Sequence, residues 1–232
     1  MSARTPSFTP EIELQTLFVL NDDGRIRSTR EPNPNGGPIF SLIRGRTHCA
    51  WAVHADVPET LAREVGDLAR AEPAGRDFES APKYAKDYLS LLGGKVDAGP
   101  TFIFPQVIPR PDGIVSITHL AQLQHHFRGW TADEIPERSP ILAIVEDERA
   151  ISVCFCARRS AVAAEAGVET AERFRGRGLA ARVTAAWALG VRTSGRLPVY
   201  STSWSNEPSL AVARTLGLEV CASVWSLYGA YT

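Results

Sequence analysis

Apolar and polar positions along this 232-residue chain change period several times, and each change predicts an element. LQTLFVL, the turn Asn21-Asp22-Asp23-Gly24 and RIRST predict a hairpin, because Asp-Gly supplies the positive φ of a tight reversal. The ten or so polar residues ahead of it, with two prolines, are expected to fray. EPNPNGGP has loop composition, and IFSLI and CAWAVH predict two further strands. Asp56-Val57-Pro58-Glu59 resembles a capping box, with Leu61, Val65 and Leu68 at helical spacing after it. A second helix is expected over 81–92, stopped by Gly93-Gly94, and then a strand over TFIFPQVI.

PRPDG (109–113) punctuates the chain, and the pattern shifts beyond it. A helix is expected over 118–128, then strands SPILAIVED and AISVCFCARR joined across Asp147-Glu148-Arg149. A strand over 161–170 leads into a glycine-rich turn and a helix over 178–193. The strand LPVYSTS, a helix over 206–216 and the strand CASVWSLY follow. This order predicts a mixed α/β (α+β) fold, with a 1–112 N-terminal α+β lobe and a 113–232 domain.

With 44% hydrophobic residues, a core of globular size is available. The 25 basic residues balance the 26 acidic ones, so no overall field favours nucleic acid or a membrane surface as partner. Cys154-x-Cys156 has strand spacing, which points both thiols the same way, and reduced buried thiols are the expectation for all four cysteines. No apolar run reaches the roughly 18–20 residues that span a bilayer, and MSARTPSFTPEIE lacks a signal-peptide core, so a cytoplasmic location is expected.

The chemistry concentrates in GVETAERFRGRGLA, residues 167–180. A strand runs into a turn with Gly176 and Gly178, then into a helix with Leu179, Val183 and Trp187 along one side. The first turn of a helix offers unpaired N–H groups and partial positive charge, and glycines there let a phosphate approach. Arg173, Arg175 and Arg177 add charge where a diphosphate would sit. A dinucleotide fingerprint is disfavoured because LPVYSTSW has no acidic residue for a ribose, and no Gly-x-x-x-x-Gly-Lys exists.

Arg173-x-x-Gly176-x-Gly178 resembles the Arg/Gln-x-x-Gly-x-Gly/Ala signature of the GNAT superfamily, the acyl-CoA-dependent N-acetyltransferases. YSTSWSN (200–206) leading into ARTLGL is similar to that family's other recurring block, so the resemblance covers about 141–228. It implies a central mixed sheet flanked by helices and acetyl-CoA as co-substrate, with no metal. It also implies a cofactor site over Val168, Arg173, Arg175, Gly176, Arg177, Gly178, Leu179, Ala180 and Asn206. Strand N–H groups near Val168 would align the thioester for direct transfer to an amine of a small molecule or peptide.

Attack by an amine requires a base, and Glu169, ahead of Glu165, is the candidate on the strand before the turn; a water chain can replace both. Many family members carry a Tyr seven residues after the Asn aligned with Asn206, where this chain has Ala213. Tyr200, Ser203 and Tyr228 remain as substitute acids. His125-His126 lack ligand spacing for a metal, and Cys154 has no partner that would make it a nucleophile. The N-terminal lobe is expected to complete the acceptor side, and the last strand can pair across a homodimer. The alternative class is a non-catalytic acyl-CoA-binding regulatory module.

Overall fold

The structure, a computed structural model, describes residues 6–229. In chain order the elements are α1 (Pro10–Leu17), β1 (Phe18–Leu20), β2 (Ile26–Thr29), β3 (Phe40–Gly45), β4 (Cys49–Val53), α2 (Glu59–Arg70), α3 (Ala85–Leu92) and β5 (Lys95–Ile103). There follow β6 (Val115–Ser116), α4 (Glu134–Glu137), β7 (Leu142–Glu146), β8 (Arg149–Arg159), β9 (Ala163–Thr170), α5 (Leu179–Thr193), β10 (Leu197–Ser201), α6 (Glu207–Thr215) and β11 (Glu219–Tyr228). Short 3-10 turns occupy Leu120–Gln122 and Glu172–Phe174. The fold is mixed α/β, with mixed sheet flanked by helices.

The chain forms two compact units, one from Phe8–Phe102 with Ser201–Glu207 and the segment from Val220 onward, the other from Ile103–Tyr200 with Pro208–Glu219. The chain thus returns twice to the first unit.

In the first unit the strand order is β4-β3-β11-β5, with β3 antiparallel to both β4 and β11. Phe40, Leu42, Val65, Tyr88, Trp225 and Leu227 form its core. The 201–207 segment lies along β5, where Thr202 N–H donates to Pro100 O at 3.3 Å and Trp204 N–H to Ala98 O at 3.2 Å. A Cβ on Gly99 would fall 1.7 Å from Thr202 O, so the close approach requires glycine.

In the second unit the order is β10-β9-β8-β7-β6, with β9 and β10 parallel and the others antiparallel. Helix α5 packs on β7, β8 and β9 with Trp187 fully buried. Its Arg182 donates to Asp112 O at 2.8 Å, and its Arg192 to the carbonyls of Phe104, Pro105 and Gln106. The 103–113 segment is thereby strapped to the helix.

Several expectations need correction. LQTL is the end of helix α1, not strand: Thr9 Oγ1 accepts from Ile12 N–H, Pro10 opens the helix and Glu11 and Glu13 sit in its first turn, so N-terminal helix chemistry overrides the apolar run. The hairpin is confined to β1 and β2 around Asn21–Gly24. The capping box at Asp56 does not form, because Pro58 is extended ahead of Glu59 and Asp56 pairs with His54. The helix expected over 118–128 is a 3-10 turn with irregular turns around it; Leu123 and Phe127 are buried, but Thr118, the two His and Gly129 favour no long helix. The strand expected from Thr101 begins instead at Lys95. Of the N-terminal residues expected to fray, 1–5 lie outside the described residues, as does the last part of the aromatic tail, 230–232.

Candidate active site

Strand β9 organises the site. On one side it pairs with β8, placing Val153 opposite Glu169, Cys154 opposite Val168 and Phe155 opposite Gly167. On the other it pairs with β10 only at Ala163, Ala164 and Glu165, opposite Leu197, Pro198 and Val199. Residues 166–170 therefore have no strand partner on that side among the described residues, which leaves an open row of backbone donors and acceptors. That row runs directly into the glycine turn.

The turn is held from beneath. Phe174, only 3% exposed, inserts into the core cluster of Phe155, Trp130 and Ala171, while the Arg173 and Arg177 guanidinium groups lie over its ring at 4.6 and 5.1 Å. Arg175 Nε donates to Thr170 O at 3.1 Å, fastening the turn to the end of β9, and Arg177 donates to Arg173 O at 3.4 Å. Gly176 and Gly178 have φ of 74° and 72°, the left-handed region that glycine enters without strain, and a Cβ on either would meet open space. Gly178 caps α5 with no side chain, and the first helical bond is Arg182 N–H to Gly178 O. The N–H groups of 178–181 consequently have no partner within the helix. Leu179 packs partly on the core, and Ala180 is half-buried beside it. The structure thus brings together Val168, the three arginines, both glycines, Leu179 and Ala180. Asn206 belongs to the other unit, where its N–H donates to Ser203 O at 3.0 Å.

The three proposed catalytic side chains occupy different surroundings. Glu165 is 3% exposed and bonded by Arg158 at 2.7 Å, so it is an ion-paired interior carboxylate. Tyr200 is 1% exposed; its hydroxyl contacts Ser209 Oγ at 2.7 Å, and burial pushes its pKa up to about 12. Glu169 has solvent-accessible surface, yet the protein packed around it raises its carboxyl pKa; the Trp130 side chain and the Arg138 charge pull the other way, and Glu134 adds to the rise.

Sequence reasoning missed the surroundings of Glu169. Trp130 meets Phe155 edge to face at 4.6 Å, and the Arg138 guanidinium lies 5.1 Å from the Trp130 ring and 5.0 Å from the Phe155 ring while pairing with Glu134 at 2.8 Å. Phe155 covers Gly167 so closely that a Cβ there would lie 2.4 Å from the ring. A strand-interior glycine two positions before Glu169 was the available signal. Ala213, at the position where the resemblance suggests a Tyr, is 1% exposed and so is a packing residue. The four cysteines are free thiols; burial raises the pKa of Cys154, as expected of a core thiol. No group of three or more His, Cys, Asp or Glu among the described residues is placed to hold a metal ion. No helix among them is long and apolar enough to cross a membrane.

Residues 141–228 match the family model described as GNAT acetyltransferase. The family model covers the C-terminal part of the chain only, including the glycine turn and the strand and helix on either side of it. Solved structures similar to this chain include an acetyltransferase from Novosphingobium aromaticivorans described as of the GNAT family, with 23% identity over 60% of this chain and 66% of that one and a TM-score of 0.49. A GCN5-related N-acetyltransferase from Kribbella flavida is 16% identical over 95% of both chains, TM-score 0.49. A tandem GNAT protein from the clavulanic acid biosynthesis pathway is 13% identical over 96% of this chain and 95% of that one, TM-score 0.46. No curated protein matches this chain significantly.

Proposed function

We propose that this protein is an N-acetyltransferase that moves the acetyl group of acetyl-CoA to a primary amine of a small molecule or peptide. The observation that carries the reading is the continuity of the open β9 edge with the capless N-terminus of α5. A pantetheine arm offers amide groups that can pair with a free strand edge, and a diphosphate suits unpaired helix N–H groups beside arginines. The turn residues Arg173–Ala180 fit the cofactor's anionic end, and Val168 lies on the strand that would align the thioester.

In the proposed reaction Glu169 takes a proton from the acceptor ammonium, and its raised pKa makes it a stronger base than an ordinary carboxylate. The neutral amine attacks the thioester carbonyl; the N–C bond forms, the C–S bond breaks, and the surplus proton on the nitrogen passes to the thiolate, which leaves as CoA thiol. With Ala213 buried and the Tyr200 hydroxyl engaged by Ser209, the relay of that proton is assigned to water. The same two observations favour the second reading, an acyl-CoA-binding module without turnover. Thiol release from acetyl-CoA over a panel of primary amines separates them: amine-dependent release supports transfer, and acetyl-CoA binding without release for any amine supports the module.

A further inference from the structure

The side chains packed beside Glu169 have no task in the proposed transfer. Glu169 and Gly167 project from one face of β9, about 7 Å apart along the strand, because side chains alternate. Across the ladder Gly167 lies opposite Phe155, and Glu169 opposite Val153. The Phe155 ring fills the space over Gly167, which makes it the diagonal neighbour of Glu169. Trp130 closes on that ring edge to face at 4.6 Å, and the Arg138 guanidinium lies 5.1 and 5.0 Å from the two ring centroids. Two aromatic rings and a cation therefore wall the Glu169 side of this strand pair.

That wall is fastened from behind. Arg138 donates from Nε and Nη2 to Glu134 Oε1 at 3.1 and 2.8 Å, and Thr131 donates to Glu134 Oε2 from its N–H at 2.8 Å and its hydroxyl at 3.3 Å. Both carboxylate oxygens are thus engaged. Cys156 N–H donates to Arg138 O at 2.9 Å, which ties the segment to β8. Glu134 is 6% exposed and Trp130 9%, so the charges of this pair are poorly screened by water. Burial raises the Glu169 pKa; the Trp130 side chain and the Arg138 charge favour its carboxylate form, and Glu134 opposes it. From β8, Val153 and Ser152 bring no charge, and Ser152 Oγ donates to the Glu169 carbonyl at 3.4 Å. Among the described residues, Arg138 and Glu134 are the two charges that act on this carboxyl.

We propose that Trp130 and Arg138, braced by Glu134, are positioning residues that hold the Glu169 carboxyl in place for its exchange with the acceptor amine. The inference rests on the assignment of Glu169 as base. An exposed glutamate otherwise samples several rotamers, and a misplaced base loses most of its effect on rate. The indole and the guanidinium both attract the charged form, so they select one arrangement of it. Glu134 has a further consequence: by neutralising Arg138 it limits the pull of that cation and leaves Glu169 the stronger base.

The test is titration of the Glu169 carboxyl by carbon-13 NMR in the full chain, with its resonance identified by its loss in Glu169→Gln. Arg138→Met keeps a stem over the rings and removes the cation, so the titration should move up by about half a pH unit or more. Glu134→Gln keeps the shape and removes the anion, so it should move down by a similar amount. Both variants break the same ion pair, so damage to packing alone cannot produce opposite signs. Trp130→Phe keeps a ring against Phe155 and should move the titration up by less. Should Arg138→Met not fold by circular dichroism, the opposite signs of Glu134→Gln and Trp130→Phe decide. Movement in one direction by all variants, or none, overturns the inference and leaves Glu169 standing as base. A Glu169→Gln variant with undiminished amine-dependent thiol release overturns the base assignment and this inference with it.

Discussion

Replacing Gly167 by Ala perturbs the packing behind Glu169 at a single point. Gly167 has no positive φ, so the new methyl brings no backbone strain and the effect is steric. Its Cβ would lie 2.4, 2.6 and 3.0 Å from Phe155 Cε2, Cζ and Cδ2, against about 3.5–4.0 Å for relaxed carbon contacts. The ring must recede by about 1 Å, and it is blocked by Trp130 at 4.6 Å and the Arg138 guanidinium at 5.0 Å. Overpacking of this kind costs about 1–3 kcal/mol, offset by about 0.5–1 kcal/mol for replacing glycine within a strand. The expected result is a net destabilisation near 1 kcal/mol, or about 2–4 °C in Tm, by thermal and urea unfolding. Phe155→Leu should remove the clash, so that it costs less in the Gly167→Ala background than alone, with a coupling above about 0.5 kcal/mol. A Gly167→Ala variant as stable as the wild type, with strictly additive effects in the double variant, would refute a ring held against this glycine.

Glu169→Gln should lower kcat by roughly 10²-fold at neutral pH and abolish an ionisation limb through which the wild-type rate rises with pH, above the usual carboxylate range. The raised folded pKa means that protonated Glu169 favours the native state and that this contribution is lost as pH rises through it. The same variant should therefore be no less stable than the wild type at pH 7; a variant that loses rate and stability together contradicts the assignment. Arg158→Ala removes the ion-pair partner of the interior carboxylate Glu165 and should destabilise by about 1–3 kcal/mol, read by urea unfolding, without changing acetyl-CoA affinity. Ala213→Tyr should lower Tm without raising turnover, because a ring at a 1% exposed helix position overpacks it; higher turnover with unchanged Tm would show that the position opens onto the site.

The C-terminal half was legible because its elements are long and punctuated by chemistry with few local alternatives. Asp147 and Glu148 take positive φ where the β7–β8 turn was expected, and Gly178 caps α5 where the helix was expected to begin. The strand-turn-helix of 163–193 follows from period and glycine placement alone. What stayed hidden depends on contacts distant in sequence. The ion pair of Glu165 with Arg158 separates it from Glu169 on the same strand, and the engagement of Tyr200 by Ser209 is equally invisible in the local pattern. The Trp130–Phe155–Arg138 cluster draws on a segment whose apolar residues are spaced like a helix but fold as turns. At the N-terminus the apolar run LQTLFVL concealed a helix whose signal, Thr9-Pro10-Glu11, lay in the residues just before it.

The central claim, that the turn at 173–180 receives the anionic end of acetyl-CoA, is tested most directly by titrating acetyl-CoA into the wild type and Gly176→Ala. A methyl at Gly176 meets no protein atom within 4 Å, so it can obstruct only what approaches from outside, apart from a local cost of about 1–2 kcal/mol for its left-handed backbone. The account predicts that the wild type binds, that the variant remains folded by circular dichroism, and that its affinity falls by about 10-fold or more. Equal affinity in a folded Gly176→Ala variant would contradict it.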